Sequence, residues 1–506
     1  MDTTDFAVLV GRLERESDRR PRAYVLKLMM VVALGYVLPA LAILAVVAAI
    51  ATIVWTLLNG STPGFWHVVA LGISVSVTVL SIRGLLIPVA EPDGRELTSD
   101  EAPALFAAID EVVQKLASSP KGVAQHLRID SVALDREFAL SLHLIPQFGV
   151  FGQYAHRLQI GLPLLNALSI AEIKTLLAHE IAHLGGMHNR FSSWIYRQRT
   201  AWSAIEERYA EPESLIDRAL AYAYGRYASF FLAYSLVMAR NHELAADRAA
   251  ARATHARLFG RALIKTELIG RFLAEVFWTK LFEQVEKLPE PQYLPYSVMS
   301  RAITLAQKQW QRADWLHEGM RRYSAEHDTH PALGERLAAL EVTPELPTNV
   351  ADSSALALLG ENAAHIVKEF DEQWRAEYVP AWRKRHDAIR EARWKISQYE
   401  VVAEADLKPE ALWEKASLLL DIAREREALD SLRVLVAREP TMAKAQFLLG
   451  RLLLESADER GLHHLASAVQ HDPELIDAVG ELGYGYLVQR GRRAEAQRFW
   501  DRIQAL

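Results

Sequence analysis

Apolar and polar positions are distributed very unevenly along this chain. From Leu28 to Ile82 there is no Asp, Glu, Lys or Arg. As one helix, Leu28–Leu58 would reach about 46 Å at 1.5 Å per residue, and a bilayer core of about 30 Å needs about 20 residues. Asn59-Gly60-Ser61-Thr62-Pro63-Gly64 reads as a turn. Trp66 to Ile82 is a second apolar stretch, closed by Arg83, and Trp55 and Trp66 stand where interfacial aromatics belong. The pattern predicts a transmembrane hairpin with a very short loop. A cleaved signal peptide would have a far shorter apolar region, and a soluble core hairpin rarely runs so far without a charge. Arg12, Arg15, Arg19, Arg20, Arg22 and Lys27 precede the hairpin, its loop carries no basic residue, and Arg83 and Arg95 follow it. Both ends are therefore expected in the cytoplasm.

Beyond the hairpin the periodicities shorten. Leu127–Leu134 alternates over its first half, as in a half-buried strand, and Arg157-Leu158-Gln159-Ile160, ended by Gly161 and Pro163, suggests an edge strand. Ser169-Ile170-Ala171-Glu172 forms a capping box, opening a helix through Leu176 and His183 that should stop at Gly185-Gly186. An aromatic-rich insert from Asn189 to Arg240 includes an apolar run, 219–239, interrupted by Arg226. It reads as a buried or membrane-resting helical hairpin that roofs a cleft, with a third membrane helix as the alternative.

Glu341–Asp352, with Pro344 and Pro347, reads as a linker, and 353–400 as charged helix broken at Pro380. Then Glu439-Pro440 and Asp472-Pro473, and likewise Leu449-Gly450 and Leu482-Gly483, recur 33 residues apart. This resembles degenerate tetratricopeptide repeats, which form a groove for peptides or partner proteins. The expected division is 1–27 cytoplasmic segment, 28–90 transmembrane hairpin, 91–340 catalytic domain, 341–352 linker, 353–408 helical connector and 409–506 repeats.

Composition narrows the chemistry. The 506 residues, 51% hydrophobic and 24% charged, suit two to four folding units. There is no cysteine, which removes disulfides, thiolate metal sites and a cysteine nucleophile. Any metal site must use His, Glu or Asp. The net charge of −6 argues against nucleic acid as a partner.

The predicted helix carries His179-Glu180-Ile181-Ala182-His183. Residues i and i+4 share a face, so both imidazoles can converge on one zinc ion, with Glu180 able to polarise a water. A metzincin third ligand is not matched, because position 189 is Asn189 and His188 falls one place early. Glu243, in Asn241-His242-Glu243-Leu244-Ala245-Ala246-Asp247, is the better candidate. Asp247, one turn on, could fix a ligand imidazole's tautomer.

The set His179-Glu180-x-x-His183, Glu243-x-x-Ala246-Asp247 and His330-Pro331-x-x-x-x-Arg336, with the lead-in Ile160-Gly161-x-Pro163-Leu164-Leu165, resembles the gluzincin membrane metallopeptidases of the HtpX and CAAX-prenyl-protease type (peptidase family M forty-eight). The likeness covers about residues 90–340. It implies an ATP-independent zinc endopeptidase holding one Zn2+ per chain on His179, His183 and Glu243. Glu180 is then the base, and His330 or Arg336 lies near the cleft. One departure is Glu137-Phe138-Ala139, where the family often has an Asn-Ala pair before the edge strand.

The expected architecture is mainly α: a transmembrane hairpin, an α+β metallopeptidase domain with a small sheet, and an α-solenoid. The expected partners are polypeptide substrates, the lipid bilayer and a protein bound to the repeats, with no nucleic acid. The expected location is the bacterial inner membrane, in a role in protein quality control. The competing expectation is a membrane-anchored scaffold with a structural zinc site, which would have no need of Glu180.

Overall fold

The computed structural model of the chain describes residues 3–86, 92–118, 129–147, 154–184, 190–208, 210–211, 214–322, 330–347 and 354–506. They form two compact units, Met1–Thr279 with Tyr293–Gln373, and Lys280–Gln292 with Trp374–Leu506.

The first unit opens with α1 (Thr3–Arg19), α2 (Pro21–Gly35), α3 (Val37–Leu58) and α4 (Phe65–Leu85). The single helix expected over 28–58 is two helices meeting at Tyr36. Pro39 explains the break: it has no N–H, and its ring would oppose the carbonyl of Gly35, so it is tolerated only in the first turn of a new helix. The break separates two environments. Helix α2 buries Tyr24, Leu28, Val31 and Val32 against Trp202, Tyr224 and Phe231. In α3 only Pro39 and Ala42 are buried. Among the described residues two helices are long and apolar enough to cross a membrane, Val37–Leu58 and Phe65–Arg83, with 11% and 6% of their apolar windows buried. The core helix of a soluble protein would be mostly buried.

A four-stranded sheet follows, made of β1 (Arg95–Leu97), β2 (Ser131–Asp135), β3 (Leu140–Pro146) and β4 (Tyr154–Gly161) in the order β1-β2-β4-β3. Two strand expectations are corrected. The strand expected over Leu127–Leu134 is β2, whose central Val132, Ala133 and Leu134 are all buried, so both faces are covered; Leu127 and Arg128 lie outside the described residues. The strand at 157–160 is not an edge. It pairs in parallel with β2 and antiparallel with β3, and the edge is β3. Gly161 is required where β4 ends: a Cβ there would stand 1.8 Å from the Glu137 carbonyl oxygen, and its N–H donates to Ala139 O at 2.8 Å. This close approach sets the backbone that leads into β3.

Helix α5 (Pro103–Ala117) and the short α6 (Leu162–Ala167) come before α7 (Ile170–Leu184). The capping box opens α7 as expected: Ser169 N donates to Glu172 Oε2 at 2.9 Å and Glu172 N to Ser169 Oγ at 3.3 Å. Buried Lys265 pairs with Glu172 at 2.9 Å, fixing α7 to α11 (Ala256–Phe272). The expected stop at Gly185-Gly186, with His188 and Asn189, lies outside the described residues. The insert forms α8 (Arg190–Arg208), α9 (Leu215–Leu220), a π-helical turn (Ala221–Gly225) and α10 (Arg226–Ala253). It packs on α1 and α2 through Trp202, Tyr224, Phe231 and Ala233.

In the second unit, the part of helix Ala363–Tyr399 that belongs to it runs through Pro380 without the expected break. Proline forfeits one hydrogen bond. Trp374, Val379, Trp382, Ile389 and Ile396 are buried on either side of it, with Phe282 packed on both tryptophans, so the helix holds. Six helices follow as three antiparallel pairs: Pro409–Asp421 with Glu425–Arg438, Ala443–Glu455 with Gly461–His471, and Ile476–Gln489 with Arg493–Gln504. Each pair turns on a left-handed residue, Ala423, Ala457 or Gly491, at φ 57°, 60° and 76°. The turns are 34 residues apart (457 − 423 and 491 − 457). All three close alike: Arg424 N donates to Leu419 O, Asp458 N to Leu453 O and Arg492 N to Leu487 O, at 2.8, 2.8 and 3.0 Å. This is the Schellman closure of a helix C-terminus. Part of the expected linker, 348–352, lies outside the described residues.

Candidate active site

Two helices and one strand edge build the site. Helix α7 presents His179 and His183 one turn apart, with Nε2 atoms 3.3 Å from each other. Helix α10 crosses it and delivers Glu243, whose Oε2 lies 3.4 Å from His179 Nε2 and whose Oε1 lies 3.4 Å from His183 Nε2. One ligand atom from each residue lies within 4.8 Å of the other two, so the three could hold a metal ion.

Behind His179 a second layer is in place. Asp247, one turn after Glu243 and fully buried, has Oδ1 2.8 Å from His179 Nδ1. An ionised carboxylate only accepts, so Nδ1 keeps its proton and Nε2 is the nitrogen that can give up its own to face an ion with a lone pair. Arg336 holds Asp247 with a two-pronged bond, Nη2 to Oδ1 at 2.6 Å and Nε to Oδ2 at 2.9 Å. Phe259 stacks on the His179 ring at 5.9 Å, with the Arg336 guanidinium 5.8 Å from the Phe259 centroid.

Glu180 points along α7 to the open side. Its Oε2 accepts the Leu142 N–H of β3 at 3.2 Å, and its Oε1 is 4.0 Å from His179 Nε2. In an antiparallel pair, alternate residues turn both peptide groups away from the partner strand. The Leu142 bond fixes which residues these are: Leu140, Leu142 and Leu144 present theirs on the free side of β3, beside α7. Pro146, which has no N–H to present, falls in the same register and is tolerated at an edge. His330 lies at the mouth, 59% exposed, with Nε2 3.6 Å from Glu243 Oε2. A cavity of about 660 Å3 opens beside it, lined by Phe138, Leu263, Thr266, Glu267, Leu333 and Arg336 among others.

Burial and neighbouring charge shift the protonation of the set. Burial pushes the Glu180 carboxyl above its usual range and the His183 imidazole down to about 4. Burial also opposes charge on His179, but its bonds to Asp247 and Glu243 outweigh that and hold it at about 9. Burial would raise Glu243, yet the two imidazoles bring it well below the carboxylate range.

The donor set fits zinc. It comprises two imidazole nitrogens and a carboxylate, the ligand types zinc takes where no thiolate is available. Glu243 Oε2 is buried and has no hydrogen-bond partner. Its nearest groups are His179 Nε2 at 3.4 Å and His330 Nε2 at 3.6 Å, and a metal cation would meet it more closely.

The structure thus brings His179, Glu180, His183, Glu243, Asp247, His330 and Arg336 together, but in different places. His330 stands at the open mouth. Arg336 is buried behind His179. The sequence reading missed the Leu142 N–H and Phe259. The strict alternation Leu140-Ser141-Leu142-His143-Leu144 was a usable signal for the edge strand, whereas nothing local marks Phe259.

Residues 152–343 match the family model described as Peptidase family M48, a span from the start of β4 past the helix Leu333–Ala339. The match supports an M48 metallopeptidase, a zinc-dependent hydrolase acting on polypeptides. No curated protein and no solved structure matches the chain.

Proposed function

We propose that this chain is a membrane-anchored zinc endopeptidase that cuts misfolded or membrane-associated polypeptides. The observation that carries the reading is the placement of Glu180. Its carboxylate is tied to the edge strand by the Leu142 N–H, directly beside three converging metal-ligand atoms.

His179 and His183 would hold the ion through Nε2, and Glu243 through a carboxylate oxygen. Zinc bound there supplies Lewis acidity to the scissile carbonyl and to the attacking water. A substrate segment lies along β3, taking main-chain hydrogen bonds from the outward peptide groups of Leu144 and the Leu142 carbonyl, a sequence-tolerant mode. Glu180 accepts the proton of the attacking water and returns it to the leaving nitrogen. His330 donates to the carbonyl oxygen as it gains charge. Arg336 works at one remove, orienting Asp247 and through it His179.

The hairpin of α3 and α4 anchors the chain with the catalytic unit in the cytoplasm, and a bacterial inner membrane suits it. The paired helices from Pro409 onward act as tetratricopeptide-like repeats that recruit substrate or a partner. Their recurrent left-handed turns support that reading.

The alternative is a scaffold with a structural zinc site. It leaves the raised, strand-anchored Glu180 without a purpose. The test is Glu180→Gln, with zinc content measured on both forms. We expect equal zinc and cleavage of casein by the natural chain alone. Equal cleavage by the zinc-loaded variant would sink the peptidase reading. Inactivity of both forms, with a stable partner captured on residues 409–506, would favour the scaffold.

A further inference from the structure

The helix register in the first unit sets how far the catalytic site stands from the bilayer. Helices α2 and α10 run antiparallel and are pinned at two levels. Near the top, the Tyr227 OH donates to Val31 O at 2.8 Å, and the Tyr227 ring lies against Gly35. Lower down, the Tyr24 OH donates to Tyr234 O at 2.8 Å and accepts from Met238 N at 3.2 Å. Tyr36, at φ −98° and ψ −2°, joins α2 to the apolar span of α3, which begins at Val37. Helix α4 returns beside α3, and its end meets the same level: the Tyr224 OH donates to Ser81 O at 2.9 Å, and Leu85 packs with Leu28 and Val31. Arg83 closes the apolar span of α4 here. The two apolar spans, Val37–Leu58 and Phe65–Arg83, therefore end level with Tyr36 and Tyr227.

From that level α10 runs away from the bilayer to Glu243. Sixteen residues separate Tyr227 from Glu243, about 24 Å at 1.5 Å per residue. In the opposite direction, Tyr222 is 74% exposed. A tyrosine with Arg226 against its ring is a fitting interfacial anchor.

We infer that the site is held about 24 Å from the bilayer boundary. It therefore acts on membrane proteins only in tails outside the membrane, no closer than about seven extended residues to their last apolar turn, at ~3.3 Å per residue. This rests on the anchored-peptidase reading. It excludes cutting inside the bilayer, and it makes tail length a condition for cleavage.

Two experiments test it. The first uses the zinc-loaded full chain in liposomes. The substrates are a single transmembrane helix followed by unfolded tails of increasing length, with casein as control and products mapped by mass. Cuts should begin about seven residues or more from the boundary, and shorter tails should survive. Cuts within the first three residues, or within the helix, would overturn the inference. Cleavage of casein with no tail cut at any length would overturn it too, while leaving the peptidase reading intact. Loss of casein cleavage with zinc bound would instead strike the peptidase reading. The second experiment then decides the distance on its own.

That experiment exploits the absence of native cysteine. Spin labels are placed on Leu41→Cys, on the exposed face of α3, Tyr222→Cys and Arg248→Cys in liposomes. The first two should be relaxed by lipid-dissolved oxygen. The third, at the level of the site, should respond only to an aqueous relaxant. A lipid-facing label at 248, or fully aqueous labels at 41 and 222, would overturn the inference.

Discussion

Asp247 and Arg336 show how a buried charge can act without touching a substrate. The guanidinium holds both carboxylate oxygens of Asp247, and Asp247 holds Nδ1 of His179. In the proposed site this fixes which imidazole nitrogen faces the ion. Asp247→Asn keeps the shape and removes the charge. Zinc affinity is expected to fall roughly 10- to 100-fold, the usual effect of losing such an outer partner. Competition against a chromophoric chelator would measure it, and Glu180→Gln should bind zinc as the natural chain does. An Asp247→Asn protein with unchanged affinity would remove Asp247 from the metal-supporting layer. The sequence made His179, Glu180 and His183 legible because a single helix sets their spacing, and Asp247 because it follows Glu243 by one turn. The Phe259 ring was not legible, and of the Leu142 N–H only the alternating strand that carries it was. They reach the site by tertiary packing, which no local spacing encodes.

At the scale of elements, the sheet order changes what the motif Ile160-Gly161-x-Pro163 does. The strand before it is internal, and the glycine serves the neighbouring edge: its missing side chain lets the Glu137–Ala139 backbone close over β4 and enter β3. Gly161→Ala should push that backbone away and disturb the Leu142–Glu180 contact. The expected result is loss of casein cleavage with zinc still bound, read by activity and metal analysis on the same sample. Full activity would show that β3 tolerates the shift.

The helix pairs of the second unit give a complementary case. Their period was legible to within one residue, 33 against 34, from Pro440 and Pro473 and from the paired Leu-Gly steps, but the turn residues Ala423 and Ala457 were not, because alanine carries no turn signal. Ala423 and Ala457 hold left-handed angles that glycine adopts without strain. Replacing either with glycine should stabilise the second unit by about 1 kcal/mol, because the strain relieved, about 1–2 kcal/mol, outweighs the added freedom of the unfolded chain. Denaturant midpoints would show this, and a fall in stability would contradict it.

At the scale of the whole molecule, metal binding should be felt in one unit only. His179 and His183 on α7 and Glu243 on α10 all belong to the first unit, while the helix pairs from Pro409 onward belong to the second. A ligand that binds only the folded site stabilises it by RT ln(1 + [L]/Kd), about 2.7 kcal/mol at a hundred times Kd. That corresponds to a roughly hundredfold change in the opening equilibrium of the segments it joins. Stripping zinc with a chelator should therefore speed amide exchange in residues 170–184 and 240–253 by up to about that factor, because the ion links two helices that otherwise bring a carboxylate oxygen without a hydrogen-bond partner into a buried site. Residues 409–506 should exchange at the same rate with and without metal. Hydrogen exchange read by mass spectrometry on the full chain resolves both regions in one experiment. Equal acceleration in both units would show that the metal supports the whole molecule rather than the α7–α10 crossing. No acceleration anywhere would count against a metal at that crossing.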